Sequence, residues 1–107
     1  MTDTVWSKAA DLIKRNGWAR GSAQNEYGCL CAGGAIAMAL GYKPEEMWDS
    51  RSHPEMKDAF NRFGDYVGAG HSYDVAIRVF DFNDASGRTE EEVINTLQEL
   101  HEIEVSQ

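Results

Sequence analysis

The 107 residues carry eighteen acids against ten Lys and Arg, a net charge of −8, which repels phosphate backbones and anionic membranes and argues against direct binding to nucleic acid or membrane. Hydrophobic residues at 42% beside charged residues at 26% are the balance of a folded soluble protein, and the length accommodates one domain, residues 1–107, without a metal or disulfide staple. The cysteines at positions 29 and 31 are too close in sequence to staple anything, which fits a reducing cytoplasm, and neither a signal peptide nor a membrane span is legible.

Residues 4–16 set Val5, Trp6, Ala9, Ala10, Leu12 and Ile13 at steps of three and four, with Lys8, Asp11, Lys14 and Arg15 between them, the pattern of an amphipathic helix. Asp3 or Thr4 can cap its start, Lys14 and Arg15 suit its C-terminal dipole, and Gly17 supplies a left-handed stop from which Trp18 folds back on the core. ARGSAQNEY, residues 19–27, reads as loop. The run Gly28 to Tyr42, GCLCAGGAIAMALGY, then continues without a charge. A helix this apolar on every face is packed on every face, and its glycines and alanines let neighbouring helices come close.

Pro44, followed by Glu45 and Glu46, predicts a short third helix anchored by Met47 and Trp48. Ser52 with Glu55, and Pro54 between them, predicts a fourth start. Met56, Ala59, Phe60, Phe63 and Val67 carry it forward, and Gly64, Gly68 and Gly70 close it. SYDVAIRVF, residues 72–80, fits both strand alternation and helical spacing. No second strand exists to pair with it, so it reads as a helix capped by Ser72. The last helix, from about Glu90 to Ile103, is marked by a Thr89–Glu92 capping box, three glutamates in the first turn and an inner face of Val93, Ile94, Leu97, Leu100 and His101. The expectation is a compact all-α domain of five or six short helices around the buried Gly/Ala-rich central helix.

Gly17-Trp18, Cys31-Ala32-Gly33-Gly34-Ala35 and Asn83-Asp84-Ala85-Ser86-Gly87-Arg88-Thr89-Glu90-Glu91-Glu92-Val93 occur in this order along the chain. Together they resemble a family of small proteins of unknown function from actinobacteria and their phages. That family's pattern has Gly-Trp after the first helix, Cys-x-x-Gly-Ala on the second, and Trp-Asn-Asp-x-x-Gly-Arg-Thr-x-x-Glu-Val leading into the last. Phe82 stands here where the family has tryptophan, which keeps the aromatic character. The resemblance implies a mostly helical domain, a cytoplasmic setting and a phage genome as source, and it brings no activity with it.

The stretch Asp81 to Arg88 holds the densest polar chemistry. Asn83 and Asp84 can accept hydrogen bonds from following amides, Gly87 can take a positive φ, and Arg88 can pair with Asp81 or Asp84. The structural reading is a rigid corner between helices; the functional one makes Asn83, Asp84 and Arg88 a ligand or partner site. An EF-hand counted from Asp81 places Asn83 and Glu92 at ligand positions but fails at Ala85 and Ser86, so calcium is not expected. Cys29 and Cys31 near the start of the central helix, with His71 and Asn83 or Asp84, are the weak candidates for a thiol nucleophile set; burial as small apolar side chains is the stronger reading. Cys29, Cys31, His53, His71 and His101 lack zinc-site spacing, and His101 reads as a partly buried residue bonded to a neighbour. Trp6, Trp18 and Trp48 read as core or core-edge anchors.

The composition and the missing catalytic motifs therefore favour a non-enzymatic, acidic, cytoplasmic interaction factor without cofactor or metal, binding a bacterial host or phage protein. The alternatives are a thiol enzyme using Cys29 or Cys31 with His71, and a DNA mimic presenting the α-helical glutamates of the C-terminal segment on one exposed face.

Overall fold

The computed structural model describes residues 3–70 and 74–107. Among these described residues, five α-helices and one 3-10 segment follow one another: α1 (Val5–Asn16), α2 (Ala32–Ala39), the 3-10 segment (Pro44–Ser52), α3 (Pro54–Val67), α4 (Val75–Asp84) and α5 (Glu90–Val105). No strand occurs among the described residues, so the all-α expectation holds.

α1, α2, α4 and α5 begin where a side chain satisfies one of the first free amides. Thr4 Oγ1 accepts from Ser7 N while Ser7 Oγ accepts from Thr4 N, and Thr89 and Glu92 close the same box on α5. Gly17 at φ +96° and Gly68 at φ +73° end α1 and α3, conformations that favour glycine.

α2 is enclosed by α1, α3, α4 and the 3-10 segment. Its two glycines are places of close approach. A Cβ on Gly34 would stand 2.3 Å from the Ala23 carbonyl oxygen, and one on Gly33 would stand 2.3 Å from Met47 Cε. Enclosure covers Leu30 to Ala37 and ends at Met38, which is 39% exposed. The uncharged run is therefore sequestered through its middle, while both of its ends reach the surface. Around it, Trp6, Ile13, Met56, Phe60, Phe63, Val79, Val93 and Leu97 complete one continuous apolar cluster, the driving term for folding.

Several local expectations change. The third helix is a 3-10 segment kinked at Asp49 (φ −110°, ψ 32°), with Pro44 at its start and Pro54 opening α3 directly behind it. Ser52 does not cap α3. His53 holds that position without a side-chain bond, and Ser52 Oγ donates to Asp49 instead. The ambiguous segment is helical, beginning at Val75 under an Asp74 cap; the Ser72 cap and His71 lie outside the described residues. Asp81 to Asp84 belong to the last turn of α4, so the loop between α4 and α5 is shorter than expected.

Of the tryptophans, Trp6 is buried in the core, Trp18 packs partly buried against it, and Trp48 lies edge-on to Phe80 with much of its surface exposed. The two ends of the chain are joined through side chains. His101 Nδ1 lies 2.9 Å from Thr4 Oγ1, and Glu104 accepts from both Trp6 Nε1 and the Arg62 guanidinium.

Candidate functional site

The segment between α1 and α2 is irregular but firmly tied. Leu30 sits at its centre: Ala19 N donates to Leu30 O, Leu30 N donates to Gly17 O, and Cys31 N donates to Ala23 O. These bonds bring Trp18 and Ala19 to the start of α2, opposite the last turn of α4.

Asn83 fills the junction. It is fully buried, and its Oδ1 accepts from Trp18 Nε1 at 2.6 Å and from Ala32 N at 2.9 Å. Its Nδ2 donates to Ala19 O at 3.0 Å and to Asp84 Oδ1 at 2.8 Å. An asparagine amide has two donors and a carbonyl with two lone pairs, so the chain itself fills the whole capacity of this side chain. Asp84 continues the junction outward, its Oδ2 accepting from Gly21 N, while Arg20 donates to the carbonyls of Asp84 and Ala85. Asn83 and Asp84 thus join α2, α4 and the Trp18 loop.

Arg88 follows α4, in the turn to α5, and pairs with neither Asp81 nor Asp84. Its Nε donates to Phe82 O, its guanidinium carbon stands 3.8 Å from the Phe82 ring centre, and its Nη1 faces Glu92 at 3.4 Å. This is a corner-forming arrangement with a cation over an aromatic face. Of the three residues the sequence grouped as a ligand or partner site, Asn83 and Asp84 bond to the Trp18 loop and α2, and Arg88 bonds to Phe82 and Glu92.

Cys31 caps α2, its Sγ accepting from Gly34 N at 3.2 Å and its S–H facing Met47 Sδ at 3.6 Å. Burial pushes the thiol up from an ordinary 9.0 to about 11, against the lowering effect of the Gly34 and Gly33 amides. A thiol held neutral and out of solvent is a poor nucleophile. Cys29 is only partly covered, and its relation to His71 lies outside the described residues.

The acids of α5 are divided in the same way. Glu92 serves the capping box and Arg88, Glu99 accepts from the Tyr66 hydroxyl, and Glu104 is held by Trp6 and Arg62. Three of the glutamates a phosphate-like row would need are therefore engaged within the chain.

A residue the sequence did not mark completes the picture. Arg78 is 5% exposed and directs its guanidinium into the C-terminal end of α3. Its Nε donates to Gly70 O, Nη1 to Asn61 O and Oδ1, and Nη2 to Asp65 Oδ1 and Ala69 O. Those five contacts match the five N–H groups of a guanidinium. The only signal in the sequence is a lone cation inside the apolar run Val75 to Phe80.

Beside Arg78, between the end of α3, α4 and the turn to α5, lies an open pocket of about 430 Å³, within the size of small-ligand and side-chain sites. Val67, Ile77, Phe82 and Ala85 give it apolar walls, and Asp81 and Arg88 also line it. Among the described residues, no three His, Cys, Asp or Glu side chains come together as metal ligands would, and no helix is long and apolar enough to cross a membrane.

No curated protein and no solved structure matches the chain. One family's sequence pattern does match, over residues 2–102, and its description is a family of unknown function, DUF6197. By that match over nearly its whole length, the chain belongs to DUF6197.

Proposed function

We propose that the chain is a non-enzymatic interaction factor of the cytoplasm, phage-encoded, whose partner is a bacterial host protein. The resemblance to proteins of actinobacteria and their phages supports the source and the class of partner. The observation that carries the reading is how the chain spends its reactive groups. Cys31, Asn83 and Arg78 are buried and bonded to the protein's own backbone, whereas the outward side of α4 offers Ile77, 39% exposed, beside an apolar-walled pocket. Groups placed in this way hold a shape and leave a surface for recognition.

The test compares wild type with Ile77→Lys as bait in an actinobacterial lysate at moderate salt. The reading predicts a defined protein retained by wild type and lost from the variant, whose circular dichroism and melting temperature stay unchanged. The same proteins retained by both baits, or a thiol-dependent activity in the purified chain, would contradict it.

A further inference from the structure

We infer that the pocket beside α4 receives an arginine or lysine side chain of the partner, its aliphatic stem against Val67, Ile77 and Phe82 and its cationic head on Asp81. This rests on the interaction reading and deepens it by naming what the surface recognises.

The inference follows from which charges around the pocket are already met. Two guanidinium groups line it, and at first sight they suggest an anion. Yet Arg78 directs all its N–H groups inward, to Asp65, Asn61 and the carbonyls of Ala69 and Gly70. Arg88 has one face on the Phe82 ring, donates through Nε to Phe82 O and faces Glu92. Each cation is therefore paired with an acid of the same chain. Asp81 is the exception: it lines the pocket, is exposed, and forms no ion pair or side-chain hydrogen bond among the described residues. An apolar wall next to an unmatched carboxylate suits a side chain with a methylene stem and a cationic head. The net charge of −8 adds a long-range field that draws basic segments in and turns acidic ones away.

The experiment titrates the ¹⁵N-labelled full-length chain with three probes: N-acetyl-arginine methylamide, methylguanidinium, which lacks the stem, and N-acetyl-glutamate methylamide. The expected result is saturable shifts at Val67, Ile77 and Asp81 with the arginine probe, weaker binding of methylguanidinium, and no saturation by the glutamate probe. Asp81→Asn should weaken the arginine probe about threefold or more, as expected for losing a partly exposed charge pair, with its melting temperature unchanged. Tighter binding of the glutamate probe, shifts confined to the glutamates of α5, or an arginine affinity indifferent to Asp81→Asn would overturn the assignment. Failure here is separable from failure of the broader reading. Partner capture that survives Asp81→Asn, with no arginine binding, removes the pocket assignment alone; arginine binding without any captured partner removes the interaction factor.

Discussion

Cys31 shows how far one side chain's environment can depart from what its neighbours in sequence suggest. A cysteine at a helix start invites the thought of an activated thiolate, and the Gly34 and Gly33 amides do act in that direction, but burial dominates and raises the thiol to about 11. Below pH 9 the thiol is neutral in both folded and unfolded chains. Between 9 and about 11 the unfolded thiol gives up its proton and the folded one keeps it, so stability contributed at lower pH is lost as pH rises. Cys31→Ser, which keeps an oxygen cap and does not ionise in this range, should flatten that decline by about 1 kcal/mol per pH unit, measured by urea unfolding from pH 8 to 10.5. A decline of equal slope in both proteins would mean the thiol is not held neutral by the fold. The sequence made burial the stronger reading because cysteine is so often apolar in its behaviour. It could not supply Met47, whose sulfur meets the thiol from the 3-10 segment.

Elements were most legible where their signals are local. Thr89 and Glu92, Gly17 before Trp18, and the apolar spacing of α3 each lie within a turn or two of what they control. The signals failed over the kind of helix in the segment after Pro44, and where the partner is distant, as for Arg78. Helix-to-helix approach belongs to this second kind. Gly64 lies in the last turn of α3, and a Cβ there would stand 2.6 Å from Arg78 Cζ and Nε, although in the sequence Gly64 reads only as part of a stop. Gly34→Ala meets a carbonyl oxygen of the backbone, whereas Gly64→Ala meets a side chain that can swing away only by giving up its bonds to the end of α3. Both should lose about 1–3 kcal/mol, with Gly34→Ala the larger loss, although alanine's helix preference returns about 1 kcal/mol in each. Urea unfolding of the two variants checks the order. A Gly64→Ala protein more stable than wild type would show that Arg78 is not fixed in this position.

The whole molecule depends on bonds that cross long stretches of sequence, and these were the least visible from the sequence alone. The stretch from Asp81 to Arg88 stood out in the sequence as chemically dense. The partners of its side chains were not legible, because Asn83 meets Trp18 and Ala32 across 65 and 51 positions, and nothing within the loop itself points there. Once those partners are known, the order of the chain has a reason: Trp18 and Ala19 are carried to the head of α2, and α4 is docked against both. The outer surface of α4, with Ile77 and Asp81, is held in place by this junction while taking no part in it. Asn83→Ala would leave the Trp18 indole N–H, the Ala32 amide and the Ala19 carbonyl without their partner in the interior. The cost of orphaned buried groups is about 1–3 kcal/mol each before relaxation and water entry. The decisive measurement is therefore the unfolding free energy of Asn83→Ala in urea, followed by tryptophan fluorescence. A loss of about 2–4 kcal/mol is predicted, and a variant as stable as wild type would contradict the claim that this buried amide joins α2, α4 and the Trp18 loop.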